Sequence, residues 1–147
     1  MVVWHYAKQE THIHVAAGNR IPGIPRHTIR LRLDYEARPG FAVGGTLIGS
    51  SSQYVRGDEN NADAGGALSG YAILNLDATY KLNRTWTLFA KVDNVFDKSY
   101  ANFGLLSRNQ FVGPGRSFVA EDDGVKEQFV SPGSARGFWI GLRYRLR

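Results

Sequence analysis

The last eleven residues of the chain alternate between apolar and polar positions without interruption. The apolar positions are Phe138, Ile140, Leu142, Tyr144 and Leu146. The positions between them are Trp139, Gly141, Arg143, Arg145 and Arg147. Successive side chains of a β-strand point to opposite faces, so this pattern predicts a strand with one oily face and one cationic face.

The same alternation predicts four earlier strands. Their predicted bounds are about Thr28–Ala37, Phe41 to about Tyr54, Tyr71–Leu82, and Trp86–Phe96. The chain is therefore predicted to be all-β, an antiparallel up-and-down meander of about five strands. Residues 1–25 are predicted to form a loop, with Met1–Tyr6 as a candidate end of a preceding strand.

The predicted connections alternate in length. Arg38–Gly40 and Asn83–Thr85 are short turns, whereas Arg56–Ser69 and Asp97–Ala135 are long, and the second of these is predicted to be irregular. Outer-membrane barrels have strands of about ten residues, short periplasmic turns and longer external loops. The pattern thus favours a barrel wall whose short turns lie on the periplasmic side.

Aromatic residues support the same interpretation because they fall at one level. They stand at the short-turn ends of the predicted strands, and they are Tyr35, Phe41, Tyr80, Trp86 and Tyr144. Amphipathic rings at the level of the lipid headgroups form the girdle of a membrane barrel. No apolar run approaches the ~20 residues of a membrane helix, so strands would have to do the spanning.

Composition excludes several classes of function. The 147 residues contain no cysteine, which rules out disulfides, thiolate metal sites and a cysteine nucleophile. Lysine and arginine number 18 against 13 acidic residues, a net charge of +5, but the cations are scattered over strand faces. No nucleic-acid partner is predicted, since no RNA- or DNA-binding signature accompanies the charge.

The polar faces of the predicted strands carry cations that would line an aqueous lumen. Weak candidates for contact with an anionic ligand are Arg30, Arg32, Lys91, Arg143 and Arg145. They could attract a ferric siderophore by concentrating positive potential. The simpler interpretation, which we favour, is a hydrated lining in which they pair with Asp34, Glu36, Asp77 and Asp93.

No metal, cofactor or catalytic site is predicted. The acidic and amide residues of the first long loop, Asp58, Glu59, Asn60, Asn61 and Asp63, do not have the spacing of a calcium-binding loop, and we interpret them as a solvated loop. His12 and His14, with His5 and His27 near them, lack a third ligand at a telling distance. Ser50–Ser52 lacks the G-x-S-x-G elbow of a serine nucleophile, so the chain is not predicted to be an enzyme.

Several segments resemble TonB-dependent outer-membrane receptors, in that family's order. They are residues 18–27 (GNRIPGIPRH), 56–60 (RGDEN), 70–76 (GYAILNL), 92–100 (VDNVFDKSY) and 131–145. The most specific is Val92–Tyr100, which is similar to the family segment N-[LV]-F-D-x-x-Y. By this resemblance we expect structural roles for Asp93, Asn94, Phe96, Asp97 and Tyr100.

The resemblance implies that residues 1–147 are the C-terminal part of a transmembrane barrel of about 22 strands. The whole receptor would import a scarce solute, most simply a ferric siderophore, across the outer membrane of a Gram-negative cell. The family's plug and its contact with the TonB complex are expected outside these residues, and Met1–His5 is not a secretory signal. The chain is therefore expected to be the tail of a longer exported protein, unable to transport alone.

The implied partners are outer-membrane lipid, the remaining barrel strands and plug, the TonB complex and the barrel-assembly machinery. Family members usually end in an aromatic residue that this machinery recognises. Here Leu146 holds that register and Arg147 follows, which predicts weaker recognition. Two alternatives stay open: a passive porin-like wall segment, and a small soluble β-barrel or sandwich that binds a ligand.

Overall fold

The computed structural model describes residues 14–120 and 124–146, which form antiparallel β-strands joined by turns and loops. The strands are β1 (Thr28–Arg38), β2 (Phe41–Ser50), β3 (Tyr71–Lys81), β4 (Trp86–Asp93), β5 (Ala101–Asn109), β6 (Phe111–Val112), β7 (Ser117–Phe118), β8 (Val125–Pro132) and β9 (Gly137–Tyr144). The candidate strand at Met1–Tyr6, the histidines His5 and His12, and Arg147 lie outside the described residues. Between residues 14 and 120 and between 124 and 146, no helix has the length and hydrophobicity needed to cross a membrane.

The predicted all-β meander is confirmed. Five strands form one sheet in the order β1-β2-β3-β4-β9, and every neighbouring pair is antiparallel. These are the five strands that the alternation predicts. Four of them end earlier than predicted: β2 at Ser50, β3 at Lys81, β4 at Asp93 and β9 at Tyr144. After β4 the backbone of Asn94 turns into the left-handed region (φ 49°), which an extended strand cannot accommodate.

The prediction of an irregular stretch at Asp97–Ala135 is wrong. β5 pairs with β8 from Ala101↔Pro132 to Asn109↔Val125, and β6 pairs with β7 near the tip of the same hairpin. A bulge between Ala101 and Phe103 interrupts the register. The alternation is hidden in the sequence because each face of this hairpin mixes apolar and polar residues instead of segregating them.

The register places the predicted apolar positions of the main sheet in continuous rows on one face. One row joins Val43, Ala78, Ala90 and Ile140, and the next joins Leu76, Val92 and Phe138. We call this surface the oily face. It is open: Ile140 is 77% exposed and Leu142 is 57% exposed. The buried apolar residues of the described chain are Val55, Leu68 and Ile73, so the oily face is not the core of a globule.

The predicted aromatic level is a set of ring contacts at the short-turn end of the oily face. Phe41 packs edge-on against Tyr80 with ring centroids 6.1 Å apart, and Trp86 lies 4.8 Å from Tyr144. The turn at Gly40 (φ 84°) and the turn at residues 82–85 are adjacent to these rings. Four of the five predicted aromatic residues therefore form two pairs of contacting rings at this level of the folded sheet.

Candidate functional site: the polar face and the loop layer

Arg32 is the centre of a charge network on the face opposite the oily one. Its guanidinium donates to Asp34 on its own strand, to Asp77 on β3 at 2.5 Å, and to Thr46 on β2 at 3.1 Å. The guanidinium lies so close to Gly44 that a Cβ there would collide with it. Two carboxylates thus neutralise Arg32, and the residue ties three strands together instead of offering a free cation.

The other predicted cations do not converge on one point. Lys91 forms an ion pair with Asp93 at 2.8 Å and lies 5.4 Å from the centroid of the Trp139 ring. Arg143 lies over the Phe89 ring at 6.0 Å. Aromatic rings therefore share this face with the charges, as the alternation predicts for Trp139.

Arg30 and Arg143 lie near opposite ends of the sheet. Arg30 pairs with Ile48 close to the long loops, whereas Arg143 pairs with Thr87 beside a short turn. Arg145 is exposed just beyond β9. Glu36, expected to balance a cation, accepts a hydrogen bond from the Gly40 backbone N–H. The five candidates line a wall rather than a single pocket.

The two long connections pack against each other at the far end of the sheet. We call residues 51–70 and 94–136 together the loop layer. Arg56 joins the edge of β5, donating from its N–H to the Gly104 carbonyl at 2.9 Å and accepting from the Leu106 N–H at 2.7 Å. The Gln128 amide reaches across to Asp63 Oδ2 at 2.7 Å and to the Gly66 carbonyl. Val55 and Leu68 are buried beneath these contacts.

Gly104 is one point of close approach between the two connections. A Cβ at this position would lie 2.5 Å from Val55 Cγ1 and 3.0 Å from Leu68 Cδ1. The absence of a side chain therefore lets β5 rest on the small core of the loop layer. No periodicity argument could single out this glycine, because its contacts are about 36 to 49 residues away in the chain.

We predict that Gly104→Val opens the loop layer while leaving the main sheet folded. The added methyl groups would overlap Val55 and Leu68, at a cost of about 1–3 kcal/mol. Limited proteolysis of the folded barrel should show faster cleavage within residues 51–70 and 94–136. Gly115→Val is the matched control, since the nearest atom to a Cβ there is the Ser117 hydroxyl at 3.7 Å. Equal cleavage of both variants would contradict the prediction.

Asp58 is buried, so the expectation of a solvated loop is wrong for this residue, whereas Glu59 and Asn60 are exposed. It is 1% exposed, and its Oδ1 accepts hydrogen bonds from the backbone N–H groups of Ala62 at 2.9 Å and Asp63 at 3.1 Å. Asn61, in the left-handed region, exchanges hydrogen bonds with the backbone of Arg20. This acidic segment folds onto itself, and the described residues contain no cluster of three or more metal-ligating side chains.

The motif segment Val92–Tyr100 connects the main sheet to the loop layer. Asn94 is 1% exposed; its Nδ2 donates to the carbonyls of Lys98 at 2.9 Å and Ser134 at 3.0 Å, and its Oδ1 accepts from the Lys98 N–H. Asp97 Oδ1 accepts from the Arg136 N–H at 3.0 Å. The segment therefore holds both ends of the connection 94–136, from the end of β4 to the start of β9.

The remaining motif residues have different surroundings. The Tyr100 ring packs against Tyr71 with centroids 4.4 Å apart, whereas Phe96 is 75% exposed. Asn75, on β3, accepts a hydrogen bond from the Asn94 N–H through its Oδ1 at 2.9 Å. Nothing in the spacing of Asn75 could have signalled that contact, which depends on the pairing of β3 with β4.

Residues 6–95 match the family model described as TonB dependent receptor-like, beta-barrel. The ferric enterobactin receptor of Pseudomonas aeruginosa is 34% identical over 86 residues, which cover 55% of this chain and 12% of the relative. The metal-pseudopaline receptor CntO of the same species is 34% identical over 104 residues, covering 69% of this chain and 14% of the relative. The chain thus spans about an eighth of the length of these curated relatives.

Solved structures share the fold. The siderophore receptor PiuA from Acinetobacter baumannii matches with a TM-score of 0.64 at 16% identity, over 86% of this chain and 15% of that protein. The copper transporter OprC matches with a TM-score of 0.58 at 23% identity, over 86% of this chain and 18% of that protein. The five-stranded sheet and its loop layer are therefore similar to part of a much larger barrel in each case.

Proposed function

Because this chain belongs to the TonB-dependent receptor family, we propose that it forms a wall segment of an outer-membrane receptor that imports a ferric siderophore. The oily face carries the proposal. Its apolar side chains are exposed and form rows across all five strands. At the short-turn end of the strands, aromatic residues border this face. A surface of this kind is stable against hydrocarbon and unfavourable in water.

The names of similar proteins support the choice of a ferric siderophore as the solute. Relatives of this chain are receptors for ferric enterobactin and metal-pseudopaline, and a structural neighbour is a siderophore receptor. In the proposed receptor, ligand binds at the outer loops, to which the loop layer contributes. Energy from the TonB complex then rearranges a plug supplied by the rest of the receptor.

The edges of the sheet indicate that further strands complete the wall. In the described part of the chain, β1 and β9 each pair on one side only. Unpaired backbone N–H and C=O groups are not tolerated in hydrocarbon. We therefore predict that residues 1–147 expressed alone will aggregate in detergent and fail to form a heat-resistant barrel on a gel. A monomeric, heat-resistant species would contradict the prediction.

Uptake measurements test the proposed activity directly. The receptor that contains this chain is expressed in a host lacking its own ferric-siderophore receptors, with and without a functional TonB complex. We expect uptake of radioactive iron from ferric catecholate only when TonB is functional. Uptake that is independent of TonB would indicate a passive pore instead, and uptake of copper or cobalamin without iron would replace the proposed solute.

A further inference from the structure

A bulge in β1 turns one cation onto the oily face. Up to Glu36, which pairs with Ala42, the charged residues of β1 point to the polar face. The register then shifts, so that Arg38 pairs with Phe41. Directly paired residues share a face, and Phe41 belongs to the oily one. An extra residue in one strand thus moves Arg38 from the lumen side to the outer side.

The position of Arg38 is fixed by the aromatic girdle. Its guanidinium lies 5.7 Å from the centroid of Phe41 and 5.5 Å from that of Tyr80. The side chain is exposed. A cation held over two rings at the level of the headgroups faces the phosphates of the lipid leaflet. Lys81 and Arg84 add positive charge at the same end of the sheet.

A hollow of about 510 Å³ lies on the same face, farther from the short turn than Arg38, which does not line it. It forms where three small residues, Gly45, Ala78 and Ala90, come together between larger apolar side chains. The larger residues are Leu33, Tyr35, Val43, Leu76 and Val92. Gly44, Asp77 and Lys91 also border it, but alternation directs the side chains of Asp77 and Lys91 to the opposite face, so they present backbone.

The distance between the hollow and the cation matches one lipid molecule. Tyr35, which lines the hollow, pairs with Val43, whereas Arg38 pairs with Phe41, so the two levels are two residues of β2 apart, which is roughly 7 Å along the strand. A phosphate at Arg38 would therefore sit one headgroup away from an acyl chain in the hollow. The hollow offers apolar contact to an acyl chain, and Arg38 offers positive charge to a phosphate. An anionic phospholipid has both of these groups.

We propose that the hollow and Arg38 form a specific seat for an anionic phospholipid of the periplasmic leaflet, with an acyl chain in the hollow and the phosphate on Arg38. The proposal rests on the proposed function only in requiring that the oily face lie in the outer membrane. It adds a ligand, a site and a headgroup preference. One cation near an anionic lipid contributes about 1 kcal/mol, which corresponds to about a fivefold change in affinity.

Native mass spectrometry of the complete receptor, released from outer membranes in mild detergent, tests the seat. The receptor is titrated with phosphatidylglycerol and, separately, with phosphatidylethanolamine that carries the same acyl chains. Arg38→Gln should weaken phosphatidylglycerol binding about fivefold and leave phosphatidylethanolamine unchanged. Ala90→Phe should weaken both, since the ring fills the hollow. A heat-resistant barrel on a gel confirms that each variant is folded before it is titrated.

Two matched variants separate the seat from general effects. Arg84→Gln removes a cation from the same end of the sheet, and Ala72→Phe adds a ring elsewhere on the oily face, opposite Gly49. Both should bind like the wild type. The proposal is overturned if Arg38→Gln matches Arg84→Gln, if Ala90→Phe matches Ala72→Phe, or if lipid A or a second copy of the protein occupies the site instead.

The proposed function and the seat fail in different ways. If the receptor binds phosphatidylglycerol through Arg38 but takes up no ferric siderophore, the solute proposal fails and the seat stands. If it takes up the siderophore and retains no phospholipid at this position, the seat fails alone. If the receptor is absent from outer-membrane fractions, the oily face does not contact membrane lipid, and both proposals fail.

Discussion

Replacing Asn94 by alanine should lower the free energy of unfolding of the receptor barrel by about 3 kcal/mol. The substitution removes three side-chain hydrogen bonds from a residue that is 1% exposed and leaves the Lys98 and Ser134 backbone groups without their partners. It also forces alanine into a left-handed conformation (φ 49°), which asparagine tolerates better. Thermal unfolding in detergent micelles, followed by circular dichroism, measures the loss.

Two companion variants separate the causes of that loss. Asn94→Gly relieves the backbone strain but not the missing hydrogen bonds, so it should recover only part of the stability. Asn83→Ala removes an exposed asparagine that accepts from the Thr85 N–H at 2.8 Å and the Trp86 N–H at 2.9 Å. Because water can satisfy those donors, its cost should be about 1 kcal/mol. An Asn94→Ala loss no larger than that of Asn83→Ala would show that the buried network contributes little.

An arginine at Ile140 should destabilise the barrel in a bilayer by about 2–4 kcal/mol. Ile140 is 77% exposed and lies on the oily face halfway along β9, in the row with Ala78 and Ala90. In water an exposed isoleucine could be replaced by arginine at almost no cost. The predicted loss therefore arises only from contact with hydrocarbon, and unfolding of the barrel in lipid vesicles by guanidinium chloride measures it.

Thr79→Arg is the matched control for Ile140→Arg. Thr79 follows Ala78 in β3, so it lies at almost the same depth, but its side chain points to the polar face. A lumen-facing arginine stays hydrated and should cost less than 1 kcal/mol. If the two arginines had equal effects, the assignment of one face to lipid and the other to an aqueous lumen would be wrong.

The strands of the main sheet could be predicted because their two faces differ in polarity, so apolar and polar side chains alternate along each strand. Wherever one face meets apolar surroundings and the other meets water, as in β9, hydrophobicity alternates with a period of two. β5 and β8 could not be predicted in the same way. Their faces meet loop residues and water, as Gln128 beside Asp63 illustrates, so no single face is apolar. Strand ends were also misplaced where a turn residue such as Asn94 ends the pairing.

The candidate site was predictable only in part. The resemblance singled out Asn94 and Tyr100, but their partners Ser134 and Tyr71 are 40 and 29 residues away, and only the folded chain brings them together. Alternation predicted that Arg30, Arg32, Lys91 and Arg143 lie on the face opposite the oily one, and the register places them there. The sequence also predicted that these cations pair with acidic residues of the same face, as Arg32 and Lys91 do. The bulge that moves Arg38 to the other face could not be predicted from alternation or composition.

The hydrogen bonds between Gln128 and residues 63 and 66 have a mechanical consequence. These bonds join residues 51–70 to residues 94–136. Moving one connection away from the other therefore requires breaking them. A force applied at the tip near Phe111 would be transmitted through β5 to Arg56, and from there to the ends of β2 and β3 that join residues 51–70. Residues 51–70 and 94–136 would then move together as one unit rather than independently.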